Sequence, residues 1–426
     1  MIHIEDSYIR EHLINGHFGL EKESLRVLES GYFSHTQHPF AEDETHIVKD
    51  FCENQAEINT GVHTSVAGAM EELKELHIKL EKRVSKLPEK EYIWPFSNPP
   101  FIKNEEDIPV AEFDGMLRAK TVYRDYLSDK YGRYKMTFSG IHVNFSFDEE
   151  LLKKDFELSG SDSYKEHRNR IYLDLAEGLV EFGWILTLLT AASPVTDSSF
   201  LEKGRTGSTY FSGKASLRCS ESGYWNSFVP VLDYENIYAY VNSIKKYIKG
   251  GWLNSPSELY YPIRLKSEGE NNLETLLKNG VDHIELRMFD LNPLTPYGLD
   301  ERDVVFAHLL MLWIVSKESF GLNERDQVRC AANYKRAAGY DIDLAKYLIK
   351  DGRAISMRDA ARIILEKMKE FFKDYPDYAE KVLDFQLEKL QNDEKRYACI
   401  VKKMYGEDFV KKGIELAKNN NHSLTK

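Results

Sequence analysis

The sequence predicts an α+β fold, from two patterns and one absence. Five strand-like segments lie far apart in the chain with helical periodicity between them, the arrangement of a sheet assembled from distant pieces. The last ~120 residues carry helical spacing almost throughout. No internal repeat and no Pro/Gly/Ser-rich linker divides the 426 residues, so residues 1–426 read as a single unit. Within it, residues 1–300 mix sheet and helix, 301–417 are mainly helical, and 418–426 (KNNNHSLTK) read as a disordered tail.

The helices limit where the strands can be. Val66–Leu87 places apolar residues at helical spacing among Glu and Lys. Ile171–Ala192 is rich in Leu, Ile and aromatics, and Ser193-Pro194 ends it because a proline disfavours the helical conformation of its predecessor. Asp303–Val315 (DVVFAHLLMLWIV) is apolar nearly all round, which predicts burial. Met357–Phe372 aligns Met357, Ala361, Ile364, Met368 and Phe371 on one stripe.

The predicted strands are Gly19–Val27, His46–Asn59, Lys135–Phe147, Glu258–Lys266 and Val281–Asp290. Positions two apart on a strand share a face. In VDHIELRMFD, Ile284, Leu286 and Met288 form an apolar face, opposite His283, Glu285, Arg287 and Phe289. In GIHVNFSF, His142 and Asn144 lie opposite Ile141, Val143 and Phe145. Glu21 and Glu23 share a face, as do Glu53, Gln55 and Glu57, with Asp50 close by before a bulge. Any one of these faces also reads as the wet side of an antiparallel sheet. Together they are unusually acidic, and crowded carboxylates repel unless cations bind. Hard oxygens with one imidazole suit Mg²⁺ or Mn²⁺, so a metal–nucleotide platform stands beside the solvent-face reading.

Composition narrows the function classes. A formal charge of -12 argues against a nucleic-acid partner, whose phosphates need a basic field. The N-terminal stretch MIHIEDSYIREHL lacks a signal-peptide pattern. The longest uncharged apolar run, Phe182–Val195, is too short to span a bilayer. Cys52, Cys219, Cys330 and Cys399 are widely spaced with no C-x-x-C, which reads as reduced, buried thiols in a cytoplasmic protein. There is no Walker-type loop (GSTYFSGK, Gly207–Lys214, has the wrong spacing), no G-x-G-x-x-G, no G-x-S-x-G and no H-E-x-x-H. Aromatics reach 12%, and several flank the polar segments, at Tyr123, Tyr210-Phe211, Tyr224-Trp225 and Tyr260-Tyr261. Most such tyrosines are core residues; some could wall a pocket for a small zwitterion.

Nine stretches in order resemble the bacterial glutamate–cysteine ligases, including the N-terminal ligase part of bifunctional glutathione synthases. They are GLEKESLRV (Gly19–Val27), KDFCENQAEINT (Lys49–Thr60), Trp94-Pro95-Phe96, TVYRDYL (Thr121–Leu127), SGIHVNF (Ser139–Phe145), SPVTDSSF (Ser193–Phe200), SLRCSESGY (Ser216–Tyr224), ELYYPIR (Glu258–Arg264) and VDHIELRMFDLNPLTPYG (Val281–Gly298). Each is a weak signal alone; their order makes the resemblance specific.

The resemblance implies a glutamine-synthetase-like fold, an antiparallel sheet curled into a funnel-shaped site with helices outside. It implies an ATP-dependent, ADP-forming ligase that joins L-glutamate to L-cysteine through γ-glutamyl phosphate, the first step of glutathione biosynthesis. Glu21, Glu23, Asp50, Glu57, His142 and Glu285 match its metal-ligand positions for Mg²⁺ (or Mn²⁺), and Arg287 an arginine on the transferring phosphoryl group. Phe51, Tyr123, Leu127, Arg218, Tyr224 and Tyr260 match positions around the amino-acid substrates, and the resemblance implies a cysteine subsite lined mainly by Tyr and Phe. Cys52 departs from the commoner small residue there and reads as packing. The length leaves no room for the ATP-grasp domain of the bifunctional relatives, and no obligate protein partner is implied. Alternatives are the same chemistry on another amine, a carboxylate-pair glycosidase, and a non-catalytic nucleotide-binding relative.

Overall fold

The structure, a computed structural model, describes residues 2–202, 207–270 and 272–424, without the side chains of 421–424. The first third of the chain supplies β1 (Gly16–Leu28), β2 (Ile47–Lys49), β3 (Gln55–Asn59), β4 (Glu91–Ile93) and β5 (Gly140–Phe147). A short separate pair follows, β6 (Val195–Asp197) and β7 (Thr209–Phe211), then β8 (Ile263–Lys266) and β9 (His283–Asp290). The main sheet runs β2-β3-β1-β5-β9-β8, with β4 on the far end of β1. Every pairing in it is antiparallel. The α+β expectation holds: a mixed fold with an antiparallel sheet and many helices.

β1 is the organising strand, because its two faces do different work. Phe18, Leu20 and Lys22 point into the core, while Glu21 and Glu23 point the other way. Lys22 is buried behind the sheet, its Nζ 3.1 Å from His77 Nδ1, and His77 Nε2 lies 3.3 Å from Glu81 Oε1. Burial lowers the Lys22 ammonium to about 8. Helices Val66–Val84, Tyr164–Phe182 and Trp184–Thr190 cover this core face. Helix Glu301–Val315 stacks beyond them and is buried from Val304 to Val315 except at Val305, as its all-round apolar sequence predicts. Each fully buried Leu or Ile there stabilises by roughly 1.5–3 kcal/mol.

Several boundaries differ from expectation, each for a local reason. His46–Asn59 is a hairpin rather than one strand: the Asp50 amide donates to Gln55 O (3.1 Å) and the Gln55 amide to Cys52 O (2.9 Å), turning the chain between β2 and β3. Ile171–Ala192 is broken into two helices at Gly183, beside the point where the Tyr334 hydroxyl donates to Leu179 O (2.6 Å). Ordered 3₁₀ turns precede β5 and β8, so those strands start late, at Gly140 and Ile263. The helical C-terminal part also contains a hairpin, β10 (Lys346–Leu348) with β11 (Ala354–Ser356). The last helix runs into the stretch expected as a disordered tail. It spans Phe409–Leu424, and Lys418 Nζ reaches Glu29 Oε1 at 2.5 Å. Residues 425–426 lie outside the described part. Among the described residues no helix is long and apolar enough to cross a membrane.

Candidate active site

Strand register brings the acidic residues together. Glu21 stands opposite His142 across β1 and β5, and Glu23 opposite Glu57 across β1 and β3. An irregularity in the β5–β9 pairing between Ile141 and Val143 leaves Glu285 opposite Asn144. As a result, one carboxylate oxygen each of Glu21 and Glu285 and one ring nitrogen of His142 lie within 4.8 Å of one another. His142 Nδ1 is 2.9 Å from Glu21 Oε2 and 3.7 Å from Glu285 Oε1, and His142 Nε2 is 3.7 Å from Glu23 Oε1. Asn144 Nδ2 donates to Glu21 Oε1 at 3.0 Å, fixing that carboxylate.

The cluster is electrostatically lopsided. Burial works against the charge of Glu285, but Arg287, Lys266 and His142 hold its carboxyl well below the usual range. Arg287 Nη1 is 3.1 Å from Glu285 Oε2, and Lys266 Nζ is 3.6 Å from Oε1. Burial and Glu285 both raise Glu21, yet His142 brings it below its ordinary value. On the β3 side no cation compensates fully. Burial and the neighbouring Asp50 charge raise Glu23, and burial with Asp50, Glu21 and Glu23 pushes Glu57 well above its ordinary range. A directly opposed Glu23–Glu57 pair destabilises a sheet unless a cation sits between them. His142 Nε2 is moreover buried without a hydrogen-bond partner. This donor set, carboxylate oxygens with one unengaged imidazole nitrogen, fits a hard divalent cation such as Mg²⁺ or Mn²⁺.

A small aromatic cavity adjoins the cluster, lined by Arg218, Tyr224, Tyr260, Arg287 and neighbours. Arg218 is buried and donates from Nη1 to the carbonyls of Arg287 (2.9 Å) and Phe289 (3.3 Å). Its guanidinium lies flat on Gly140; a Cβ built there would stand 2.2 Å from Arg218 Cζ. Tyr224 and Tyr260 pack at 4.3 Å between ring centroids. Phe51 and Leu127 do not line this cavity. They belong with Tyr260 to the apolar cluster behind it, against which Tyr123 and Tyr224 also pack. Cys52 is in the same cluster, and burial followed by Asp50 pushes its thiol up, as a packing residue requires. On the other side of Glu21 a cleft opens, lined by His17, Asn59, Val62, Asn144 and His283 among others.

Sequence reasoning missed three basic residues. Arg264 stands opposite Glu285 on β8 and donates to the carbonyls of Ser257 (2.6 Å) and Leu259 (2.8 Å). Lys266, two positions on, shares that face; the alternation in IRLK carried the signal. Arg124 donates from Nε to Asp50 O at 2.7 Å, and burial lowers its guanidinium despite Asp50 and Glu57. The alternation also misassigned Phe289, which is fully buried rather than on the polar face.

The glutamate-cysteine ligase family model matches residues 1–252 and 234–337. This chain belongs to the glutamate-cysteine ligase family. Among relatives of this family, a glutamate–cysteine ligase of Clostridium acetobutylicum is 31% identical over 418 residues, covering 85% of each chain. The glutathione biosynthesis bifunctional protein of Listeria innocua is 36% identical over 419 residues, covering 93% of this chain and 53% of that one. The chain thus spans about half the length of the bifunctional ligase relatives it matches. The crystal structure of a bifunctional glutathione synthetase from Pasteurella multocida superposes with a TM-score of 0.85 at 26% identity, covering 100% of this chain and 55% of that one.

Proposed function

We propose that this chain is a glutamate–cysteine ligase in activity as well as in family. It joins the γ-carboxylate of L-glutamate to the amine of L-cysteine and converts ATP to ADP and phosphate, as the first step of glutathione biosynthesis. The observation that carries this reading is the convergence of Glu21, Glu23, His142, Glu285 and Arg287 on one sheet face beside an aromatic cavity. In this reading the sheet is glutamine-synthetase-like and curls into a funnel, with the metal cluster at its narrow part.

Glu21, Glu23, Asp50, Glu57, His142 and Glu285 would hold Mg²⁺, or Mn²⁺ in its place. Bound there, the ion would supply positive charge that offsets the repulsion of the ATP phosphates and the glutamate carboxylate. In this reading the nucleoside end of ATP occupies the cleft beside Glu21. Arg287, held firmly protonated by Glu285 against the effect of burial, stabilises charge on the phosphoryl group as it moves to the glutamate oxygen. The cysteine amine then attacks the acyl carbon of γ-glutamyl phosphate, and phosphate leaves. No side-chain nucleophile is required; orientation by Arg218 and the walls formed by Tyr224 and Tyr260, with Phe51, Tyr123 and Leu127 packed behind them, carries the rate. The chain acts on small molecules in the cytoplasm, without nucleic acid, membrane or an obligate protein partner.

The test is ADP release from ATP, Mg²⁺ and glutamate, with and without cysteine, with mass detection of product. Cysteine-dependent ADP release with a γ-glutamylcysteine mass supports the reading. Glutamate-dependent release that another amine stimulates instead keeps the chemistry and changes the acceptor. No release under any combination overturns it.

A further inference from the structure

The helix Arg118–Tyr131 carries Tyr123 and Leu127, yet Leu127 is its one buried residue. Tyr123, Tyr126 and Tyr131 pack partly buried against the aromatic cluster, Arg124 bonds Asp50 O, and a further set of polar bonds holds the C-terminal end. Two glycines with positive φ bracket it, Gly115 (φ 58°) and Gly132 (φ 76°), and Met116 at its entry is fully exposed. In its C-terminal half three side chains, Tyr126, Lys130 and Tyr131, converge on one buried carboxylate. Lys130 Nζ and the Tyr131 hydroxyl (2.6 Å) both donate to Glu258 Oε1, and the Tyr126 hydroxyl donates to Oε2 (3.2 Å). The Glu258 side chain has no exposed surface.

Glu258 is two residues from Tyr260, and the two are wired together. Asn226 Nδ2 donates to Glu258 O (2.9 Å) and to the Tyr131 hydroxyl (3.2 Å), while Asn226 Oδ1 accepts from the Tyr260 amide (2.9 Å). Asn254 N closes the remaining side of the carboxylate at Oε2. The Tyr131 ring meets the Tyr260 ring edge-on at 5.4 Å, and Tyr260 packs on Tyr224 in the cavity wall. One carboxylate therefore joins the helix to the aromatic wall through charge-assisted bonds, the strong class of hydrogen bond.

We propose that Glu258 is a positioning residue: it latches the Arg118–Tyr131 helix, hinged at Gly115 and Gly132, as the outer wall of the acceptor-amine subsite. The assignment to the acceptor subsite rests on the ligase reading above. Glu258 touches no reacting atom. It sets where Tyr131 and Tyr260 stand, and so how tightly the amine substrate is enclosed.

The experiment compares Glu258→Gln with wild type in two measurements, hydrogen exchange followed by mass spectrometry and steady-state ADP release with each substrate varied in turn. Removal of the charge should speed amide exchange in residues 118–131 by about tenfold or more while β1, β5 and β9 exchange as before, since a hydrogen bond to a charged group is worth about that factor. The KM for the amine should rise by about the same factor, with kcat and the KM for ATP little changed. Lys130→Met, which removes a partly exposed partner, should give the same pattern at smaller amplitude and serves if the Gln variant does not fold. Unchanged exchange in 118–131, or an equal rise in all KM values, overturns the proposal. Exchange needs no substrate, so it decides on the latch even if wild type shows no amine-dependent ADP release, an outcome that would refute the ligase reading alone.

Discussion

Gly140→Ala isolates the contribution of Arg218 without touching Arg218 itself. Gly140 opens β5 and lies outside the left-handed region, so the backbone accepts alanine there. The obstacle is the guanidinium: the new Cβ would lie 2.2 Å from Arg218 Cζ and Nη2, far inside van der Waals contact. The end of a flexible side chain yields before a central strand does, so the arginine is displaced and the sheet remains. Displacement strains or breaks its bonds to Arg287 O and Phe289 O. Hydrogen bonds from a charged donor contribute about 1.5–3 kcal/mol each, and partial re-formation elsewhere leaves a net loss of about 2 kcal/mol. That is roughly a thirtyfold weaker hold on the substrate carboxylate that Arg218 orients. The assay is ADP release with glutamate and amine varied separately, alongside a thermal melt. The expected result is a KM raised about thirtyfold for one amino-acid substrate with Tm within a few degrees of wild type. Arg218→Gln should then mask the effect, because the two substitutions act on one contact. Normal kinetics in Gly140→Ala, or effects that simply add to those of Arg218→Gln, would refute the reasoning.

Arg287→Lys replaces a fork held by Glu285 with a point charge, and kcat for ADP release should fall by about a hundredfold or more; an unchanged kcat removes Arg287 from the chemistry. His308 sits between the Phe18 and Phe145 rings, and burial lowers it to about 3. The unfolded chain takes up its proton near pH 6.5 while the folded one does not, so stability is present above that value and is lost as pH falls. Between pH 7 and pH 5 this amounts to about 2 kcal/mol in urea unfolding, and His308→Leu should remove that part of the slope; equal slopes would count against it. Lys389 is buried with Nζ 3.0 Å from Asp303 Oδ1 and 2.9 Å from Leu189 O. Lys389→Met should destabilise by about 3–5 kcal/mol by stranding Asp303, and adding Asp303→Leu should recover much of the loss in chemical denaturation.

The legible parts of this protein were those governed by periodicity. The helix expected over Met357–Phe372 has those bounds, with Met357, Ala361, Ile364 and Met368 of its stripe buried and Phe372 rather than Phe371 completing it, and alternation put Glu21 with Glu23 and Glu285 with Arg287 on shared faces. What alternation could not supply was register. That Glu23 faces Glu57, or that an irregularity near Ile141 brings His142 against Glu285, depends on strand neighbours far away in sequence. Phe289 defeated the same rule because the end of β9 passes into the core. Glu258 was hidden for a different reason: it reads as the first residue of the predicted strand Glu258–Lys266, and only folding brings Lys130, Tyr131 and Asn226 to it.

β1 works like a reading frame. Between Leu20 and Ser24 its odd positions belong to the acidic cleft and its even ones to the core, with Lys22 set against His77 on the hidden side. Inserting or deleting a single residue there would exchange the two sets, driving two carboxylates into a greasy interior and an ammonium into the cleft. Changes of two would restore parity but shift every cross-strand partner. Length variation among descendants of this chain is therefore expected to collect in the turns, and a library that randomises spacing within β1 should yield no folded member.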